Sequence, residues 1–354
     1  MIPERKRLAA GGDSRAWLAW TLAAAAAAML ARNPLYSLII LLAARLTTAA
    51  HGLPGQGMRL SLWRLGGFIL LFSALFNALF LHLGQTTLLR LPASWPLIGG
   101  AITLEAAVVG ASNGLVLLTL LSIFIALNAI VPVHALARLL PRALRDLGVV
   151  ILIAITYVPA TMQHWQRIRE AQAIRGHQLR GWRDWQPIVI PLLVGGLERA
   201  MGLAEAMVSR GYGAASSQRQ PTGVRVGFLV GLAAMLAGWF LAIWIGWPGW
   251  LLLASAVLLL GTLLWRLGLR YPRTHYDSRQ WQPQDNLLLL AALLPLLAVL
   301  APLPGRETLA YTPFPQLALP AFSPIIGLLL ACLALPAFVL SPSQQDGYNT
   351  ETQT

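Results

Sequence analysis

Long uninterrupted apolar runs constrain this chain more than any other feature. Several approach or exceed about 18–20 residues, the length that a helix needs to cross the hydrocarbon core of a bilayer. The first run, at 16–31, contains six consecutive alanines. Because the runs are continuous rather than alternating, the backbone can satisfy its hydrogen bonds in lipid only as helices. The sequence therefore predicts an all-α, polytopic membrane protein.

Composition and charge agree with this class and exclude others. Hydrophobic residues make up 57% of the chain and charged residues 11%, less than half the share of charged residues in soluble proteins. The net charge is +13. In a membrane protein such an excess marks the cytoplasmic loops, so we expect a lipid bilayer and no nucleic acid as the partner of these charges. The single cysteine, Cys332, excludes a disulfide framework within the chain.

About eight transmembrane helices are predicted. A cleaved signal peptide is rejected for the first, because Arg32-Asn33-Pro34 has the character of a turn between two helices. With both termini in the cytoplasm, only Arg32, Arg90 and Arg306 of the basic residues fall outside the cytoplasmic side. The predicted spans are 16–31, 34–50, 65–83, 111–131, 226–245, 250–267, 287–303 and 318–340.

A heptapeptide pattern occurs twice between the fourth and fifth predicted spans. Both copies read E-A-x-x-x-R-G, and their arginines, Arg175 and Arg210, are 35 positions apart. The predicted topology places both copies in one cytoplasmic block. The motif residues are Glu170, Ala171, Ala173, Arg175 and Gly176 in the first motif, and Glu205, Ala206, Ser209, Arg210 and Gly211 in the second.

Each motif reads as the end of an amphipathic helix. Glycine is preferred just past a helix C-terminus, and an arginine in the last turn complements the partial negative charge there. One copy would be an ordinary helix stop. Two copies in one block indicate a further role, because a guanidinium at a helix end can pair bidentately with a carboxylate of a partner.

The two helices that carry the motifs have apolar stripes. Residues at steps of three and four form each stripe, so these helices are expected to lie on a membrane surface or to pack on each other beneath it. The expected stripes are Met162, Trp165, Ile168 and Ile174 before the first helix end, and Leu193, Leu197, Met201, Ala204 and Met207 with Val208 before the second.

These motifs resemble the two signatures of a known family. Thr156-Tyr157-Val158-Pro159 leading to Arg169–Gly176 resembles the first signature of the transmembrane T component of energy-coupling factor transporters, and Leu197-Glu198-Arg199-Ala200 leading to Ala204–Gly213 resembles the second. Weaker matches are Asn33-Pro34-Leu35 and the run with Arg273-Thr274-His275-Tyr276, Trp281 and Asp285. The resemblance covers most of residues 16–302.

The sequence departs from the family pattern in two places. The helix ends read Ile174-Arg175-Gly176 and Ser209-Arg210-Gly211 instead of Ala-Arg-Gly, and two extra spans stand at about 226–267. The expected organisation is 1–131 with transmembrane helices one to four, 132–223 as a cytoplasmic coupling-helix domain, 224–268 with the extra spans, 269–340 with the C-terminal transmembrane helices, and 341–354 as a disordered tail.

The resemblance implies a non-catalytic subunit of an ABC transporter in the prokaryotic cell membrane. Such a subunit joins two cytoplasmic ATP-binding cassette ATPase subunits to a small membrane substrate-capture (S) subunit, for uptake of a vitamin or of a transition-metal ion such as cobalt or nickel. It implies that Arg175 with Gly176, and Arg210 with Gly211, dock the ATPases, and that the other motif residues support them. The chain has no G-x-x-x-x-G-K-[ST] loop, so ATP hydrolysis is expected on the partners.

Two alternatives from other classes were weighed. A self-contained secondary transporter predicts ionisable residues deep in several spans and inverted repeats, and the sequence shows neither clearly. A membrane-embedded lipid enzyme predicts clustered His, Asp or Glu. The six histidines are scattered without metal-ligand spacing, so no catalytic residue, metal or cofactor is expected. Glu105 is expected to be a solvated residue near the outer interface.

Overall fold

The computed structural model describes residues 12–51, 62–81, 84–90, 100–139, 145–176, 181–212, 222–269, 281–314 and 317–339. Seven helices within these ranges are long and apolar enough to cross a membrane. The prediction of an all-α, polytopic membrane protein is confirmed. In chain order, and including the short ones, the described α-helices are α1 (Ser14–Leu30), α2 (Pro34–His51), α3 (Leu62–Phe80), α4 (Leu104–Ile130), α5 (Val133–Ala137), α6 (Arg145–Ile174), α7 (Gln186–Ser209), α8 (Thr222–Trp244), α9 (Trp247–Leu269), α10 (Pro283–Leu300), α11 (Pro324–Ala331) and α12 (Leu335–Val339).

Two predicted spans have wrong boundaries. The span expected at 111–131 begins seven residues earlier, at Leu104. The span expected at 318–340 begins only at Pro324 and is interrupted by a 3₁₀ turn, Cys332–Ala334. Proline explains both features of the second span: Pro324 suits a first helical turn, and Pro336 has no amide hydrogen for the Cys332 carbonyl, which accepts from Leu335 N instead.

Two short antiparallel strands precede α4, β1 (Thr87–Arg90) and β2 (Ala101–Thr103), with Arg90 opposite Ala101. Glu105, which follows them, is 1% exposed, so the expectation of a solvated carboxylate is wrong. Its Oε1 accepts from Gln85 N at 3.3 Å, from Thr86 N at 3.0 Å and from the Thr86 hydroxyl. These donors replace water around the buried oxygen.

The chain divides into two compact units, and the first comprises residues 1–136 and 277–354. Its core combines large side chains with many alanines, which let helix backbones approach closely. Trp20 Nε1 donates to the Leu333 carbonyl at 3.1 Å, which fixes α1 against the C-terminal helices. The largest buried apolar side chains of this core are Trp17, Trp20, Tyr36, Ile40, Ile123, Leu288, Ile326, Leu330 and Leu333.

Buried polar joints hold both ends of α1 and the start of α2. Asp285 is buried and accepts from Asp13 N at 2.6 Å and from Gln282 N at 2.9 Å. Asn33 Nδ2 donates to the carbonyls of Thr308 and Ala321, both at 2.8 Å. Asn33 and Asp285 were only weak matches in the sequence, and the structure gives each a definite role in joining distant parts of the chain.

Tyr36 strengthens the joint at the start of α2. Its hydroxyl lies 2.6 Å from the Thr308 hydroxyl and accepts from Ser323 N at 2.8 Å. The segment between α10 and α11 is therefore fastened to α2 by backbone and side-chain groups together.

The second unit, residues 137–276, contains the pairs α6–α7 and α8–α9. In α8–α9, Gly227 and Gly231 face the partner helix: a Cβ atom on them would lie 3.0 Å from Leu263 Cδ1 and 2.6 Å from Leu260 Cδ2. Gly246, with φ of 82°, makes the turn between the helices. Glycine thus permits the close packing of these two helices.

Helix α6 extends well beyond its apolar stretch. Residues 149–160 are too few to cross a membrane alone, but they lie within one continuous helix of 30 residues that carries Pro159 in its interior. By length and composition, Leu147–Ile174 and Gln186–Ser209 both belong to the helices able to span a bilayer. The predicted tail at 341–354 lies outside the described residues, as does the run Arg273–Tyr276.

Candidate functional site

The C-terminus of α7, which carries the second motif, has a complete Schellman geometry. Helix α7 ends at Ser209, and Arg210 occupies the C-cap with φ of −86° and ψ of 7°. Gly211 follows with φ of 79°. Gly211 N donates to the Val208 carbonyl and Tyr212 N to the Met207 carbonyl, both at 2.9 Å. This pattern satisfies the last carbonyls of the helix and needs a left-handed residue at the glycine.

The first helix end shows the same left-handed glycine and one of the two hydrogen bonds within the described residues. Helix α6 ends at Ile174, Arg175 follows, and Gly176 has φ of 80°. Gly176 N donates to the Ala173 carbonyl at 2.9 Å. No atom lies within 4 Å of the Cβ position of Gly176 or of Gly211. The backbone conformation, rather than crowding, therefore calls for glycine at both ends.

Both arginines are exposed, and within the described ranges no hydrogen bond or ion pair is found for either guanidinium group. The spacing of the motif explains this. Side chains three or four positions apart meet on a helix, whereas the glutamate precedes the arginine by five positions, which places them about 140° apart around the axis. Neither Glu170 nor Glu205 can neutralise the arginine of its own motif. The other motif residues (Glu170, Ala171, Ala173, Gly176, Glu205, Ala206, Ser209 and Gly211) are exposed as well.

Helices α6 and α7 run in opposite directions where they touch. Gln172 Nε2 donates to the Pro187 carbonyl at 3.3 Å. Eight residues back along α6, His164 lies opposite Gly195, which is eight residues forward along α7: a Cβ atom on Gly195 would be 3.0 Å from His164 Nε2. The rising number on one helix and the falling number on the other define an antiparallel pair.

This direction separates the two helix ends. The end of α6, with Arg175, lies close to Pro187 at the start of α7. The second lies about 23 residues further along α7, or about 35 Å at 1.5 Å per residue. The structure therefore does not bring Arg175 and Arg210 together; it presents them at opposite ends of one helical pair.

The predicted apolar stripes are only partly buried. On α7, Leu193, Leu197, Met201, Ala204 and Val208 are exposed, and Met207 is half-buried. On α6, Trp165 and Ile168 are half-buried, whereas Met162 and Ile174 are exposed. The contact with α6 therefore leaves most of the α7 stripe uncovered within the second unit.

Sequence reasoning placed Trp165 on the apolar stripe of α6 but missed the residues that meet this helix from the other side. The ring centroids of Trp165 and Trp185 lie 5.4 Å apart, and Gly195 of α7 lies against His164. The available signal was the pair Gly195-Gly196 in the interior of an apolar helix, where glycine is unfavourable unless packing requires it. Among the described residues, no group of three or more His, Cys, Asp or Glu is arranged to hold a metal ion.

Comparison with known proteins places the chain in a family. The model of the cobalt transport protein family CbiQ matches residues 6–222, more than half of the 354 residues. Over 73 residues the chain is also 36% identical to the energy-coupling factor transporter transmembrane protein EcfT of Leuconostoc gelidum subsp. gasicomitatum, covering 19% of this chain and 27% of that relative. The match thus spans about a quarter of the relative's length. The chain belongs to the CbiQ family of cobalt transport proteins, which confirms the resemblance to the transmembrane component of energy-coupling factor transporters.

Proposed function

We propose that this chain is the transmembrane T component of an ATP-driven energy-coupling factor importer. It joins two cytoplasmic ABC ATPase subunits to a membrane substrate-capture subunit, and the cargo is a vitamin or a transition-metal ion. One observation carries the proposal: two helix ends of the same geometry each expose an arginine that has no partner in the described structure, at opposite ends of one helical pair.

Charge places the helix ends outside the hydrocarbon core. The last nine residues of α6 with Arg175 contain Arg167, Arg169 and Glu170. An ionised side chain at the bilayer centre costs about 2.5–3.5 kcal/mol or more, so this last part of α6 lies in water or at the interface. The excess of arginine assigns that side to the cytoplasm, and the same rule puts both termini there.

Two separated arginines suit two ATPase subunits. Each guanidinium forms two parallel hydrogen bonds with a carboxylate in a groove of one subunit. Nucleotide-driven closure of the ATPase pair alters the separation of the grooves. The T component then responds because its contacts favour one ATPase state over the other. Bond cleavage occurs on the ATPases, and this chain transmits the movement.

The exposed stripe of α7 supports contact with a membrane-embedded partner. Leu193, Leu197, Met201 and Val208 form a continuous apolar face, and a face of this kind is unfavourable in water. We assign it to the capture subunit at the membrane surface. The substrate is then chosen by that subunit rather than by this chain.

Charge reversal at both helix ends tests the docking role. Arg175→Glu combined with Arg210→Glu replaces attraction by repulsion at each groove, and each lost charge-assisted hydrogen bond is worth about 1.5–3 kcal/mol. We expect association with the two ATPases in a pull-down from membranes to fall at least about tenfold, with loss of ATP-dependent uptake.

The matched control is Arg167→Glu combined with Arg225→Glu. Both residues are exposed arginines away from the helix ends, so this variant makes the same change in net charge. Undiminished ATPase association and transport in the Arg175→Glu, Arg210→Glu variant would rule out the docking role. Uptake by the purified chain alone in vesicles, without ATP, would instead identify a secondary transporter.

A further inference from the structure

We infer that the contact between His164 and Gly195 is the joint that sets the separation of the two arginine-bearing helix ends, an inference that rests on the proposed docking role. His164 and Gly195 touch neither arginine. They are positioning residues, because they determine where α7 crosses α6 and hence the direction in which each helix end extends.

The joint is specific to one glycine of α7. A Cβ atom on Gly195 would lie 3.0 Å from His164 Nε2, which is tighter than ordinary van der Waals contact. At Gly196 and Gly202, on the same helix, nothing lies within 4 Å of the Cβ position. Of these three glycines, only Gly195 lies where the imidazole ring approaches the α7 backbone.

Other contacts hold the same region. The Gln172 amide contacts α7 at Pro187, and the Trp165 ring lies against that of Trp185, the residue just before α7. Arg199 folds its side chain back onto the Gly195 carbonyl. Past the joint, the exposed Leu197, Met201 and Val208 show that α7 extends without burying its apolar stripe against α6.

Along each of the two helices, proline occurs only before the joint. Pro159 precedes His164 by five residues, and Pro191 precedes Gly195 by four, each in the interior of its helix. Proline removes a helix hydrogen bond and permits a bend. The stretches from the joint to the arginines, 164–175 and 195–210, contain no proline. Each arginine is therefore carried on a helical arm without proline, and bending at proline is confined to the stretch of each helix that precedes the joint.

The arm lengths turn a small angular change into a large displacement. The arm from Gly195 to Arg210 measures about 23 Å. A change of about 10° in the crossing direction then moves Arg210 by about 4 Å, more than the length of a hydrogen bond. A side chain added at the joint is thus expected to misplace an arginine that it does not touch.

Distance measurement on the full chain tests the joint directly. The chain has a single cysteine, so Cys332→Ala gives a background for Ile174→Cys with Val208→Cys. These two sites are 88% and 70% exposed and lie beside the arginines. With spin labels on both, in a lipid nanodisc and without ATPases, Gly195→Leu is expected to shift the mean distance by about 4 Å or to broaden the distribution to that extent.

Two variants complete the design. Gly196→Leu adds the same side chain where space is open, and it should leave the distance unchanged. His164→Ala combined with Gly195→Leu removes the ring that the leucine meets, and it should return the distance toward that of the background. The inference is overturned if Gly195→Leu matches Gly196→Leu, or if the shift persists after His164 is truncated.

This experiment separates the joint from the docking proposal. The distance is measured on the chain alone, whereas docking is measured by ATPase pull-down with the same variants. A shifted distance with full ATPase association supports the joint and counts against the docking role. An unshifted distance with lost association overturns the joint and leaves the docking role standing.

Discussion

Arginine and glycine have separate roles at each helix end. The glycine adopts positive φ and ends the helix, and the arginine before it is released toward solvent. The five-residue spacing from the glutamate keeps the guanidinium free of its own motif. Local sequence thus determines both where the helix stops and that its last charge remains exposed.

Replacement of Gly211 tests this division. Gly211→Ala forces a Cβ atom into the left-handed region, at a cost of about 1–2 kcal/mol, and should loosen the last turn of α7. Gly211→Asn should be tolerated, since asparagine populates that region. Hydrogen exchange of the amides of residue 211 and of Tyr212 measures the effect. Equal protection of these amides in the two variants would contradict the helix-stop role.

Helices and their pairings differ in how far sequence predicts them. Apolar length and Arg-Gly pairs predicted α2, α8, α9, α10 and both helix ends, because these depend on a residue's own neighbours. The pairing of His164 with Gly195 depends on a contact across 31 positions, which no periodicity encodes. Glu105 was misplaced for the same reason: its donors, Gln85 and Thr86, come from another segment.

The pair α8–α9 allows a test of glycine packing at the level of elements. Gly231→Leu would press on Leu260, since even a Cβ atom lies 2.6 Å from Cδ2, and overpacking of this kind costs about 1–3 kcal/mol. We expect earlier thermal aggregation of the purified protein. Gly261→Leu, at a position with nothing within 4 Å, is the control, and equal aggregation temperatures would show that the pair does not depend on Gly231.

At the scale of the whole molecule, the family match and the two units do not coincide. The match ends at residue 222, the first residue of α8. Helices α8 and α9, together with α10 and the helices after it, lie beyond the matched residues. The part within the match includes both arginine-bearing helix ends, so the proposed docking role uses only family sequence.

The orientation of the whole chain in the membrane can be tested by cysteine labelling. In the Cys332→Ala background, single cysteines at Ile174 and Val208 should resist a membrane-impermeant maleimide in intact cells, because the positive-inside rule puts them in the cytoplasm. A cysteine at Leu319, which is 93% exposed between α10 and α11, should react. Labelling of Ile174→Cys from outside would reverse the assigned orientation.

The hydrogen bonds made by the Asn33 side chain have a consequence for biosynthesis. Its acceptors, Thr308 and Ala321, are 275 and 288 residues further along the chain. At about 5–20 residues per second, the ribosome delivers them about 15–60 seconds after the asparagine. During that interval α1 and α2 lack their contacts with the C-terminal segment, while the entire second unit is made. The first unit is therefore completed last, although its helices α1 to α4 are the earliest to leave the ribosome.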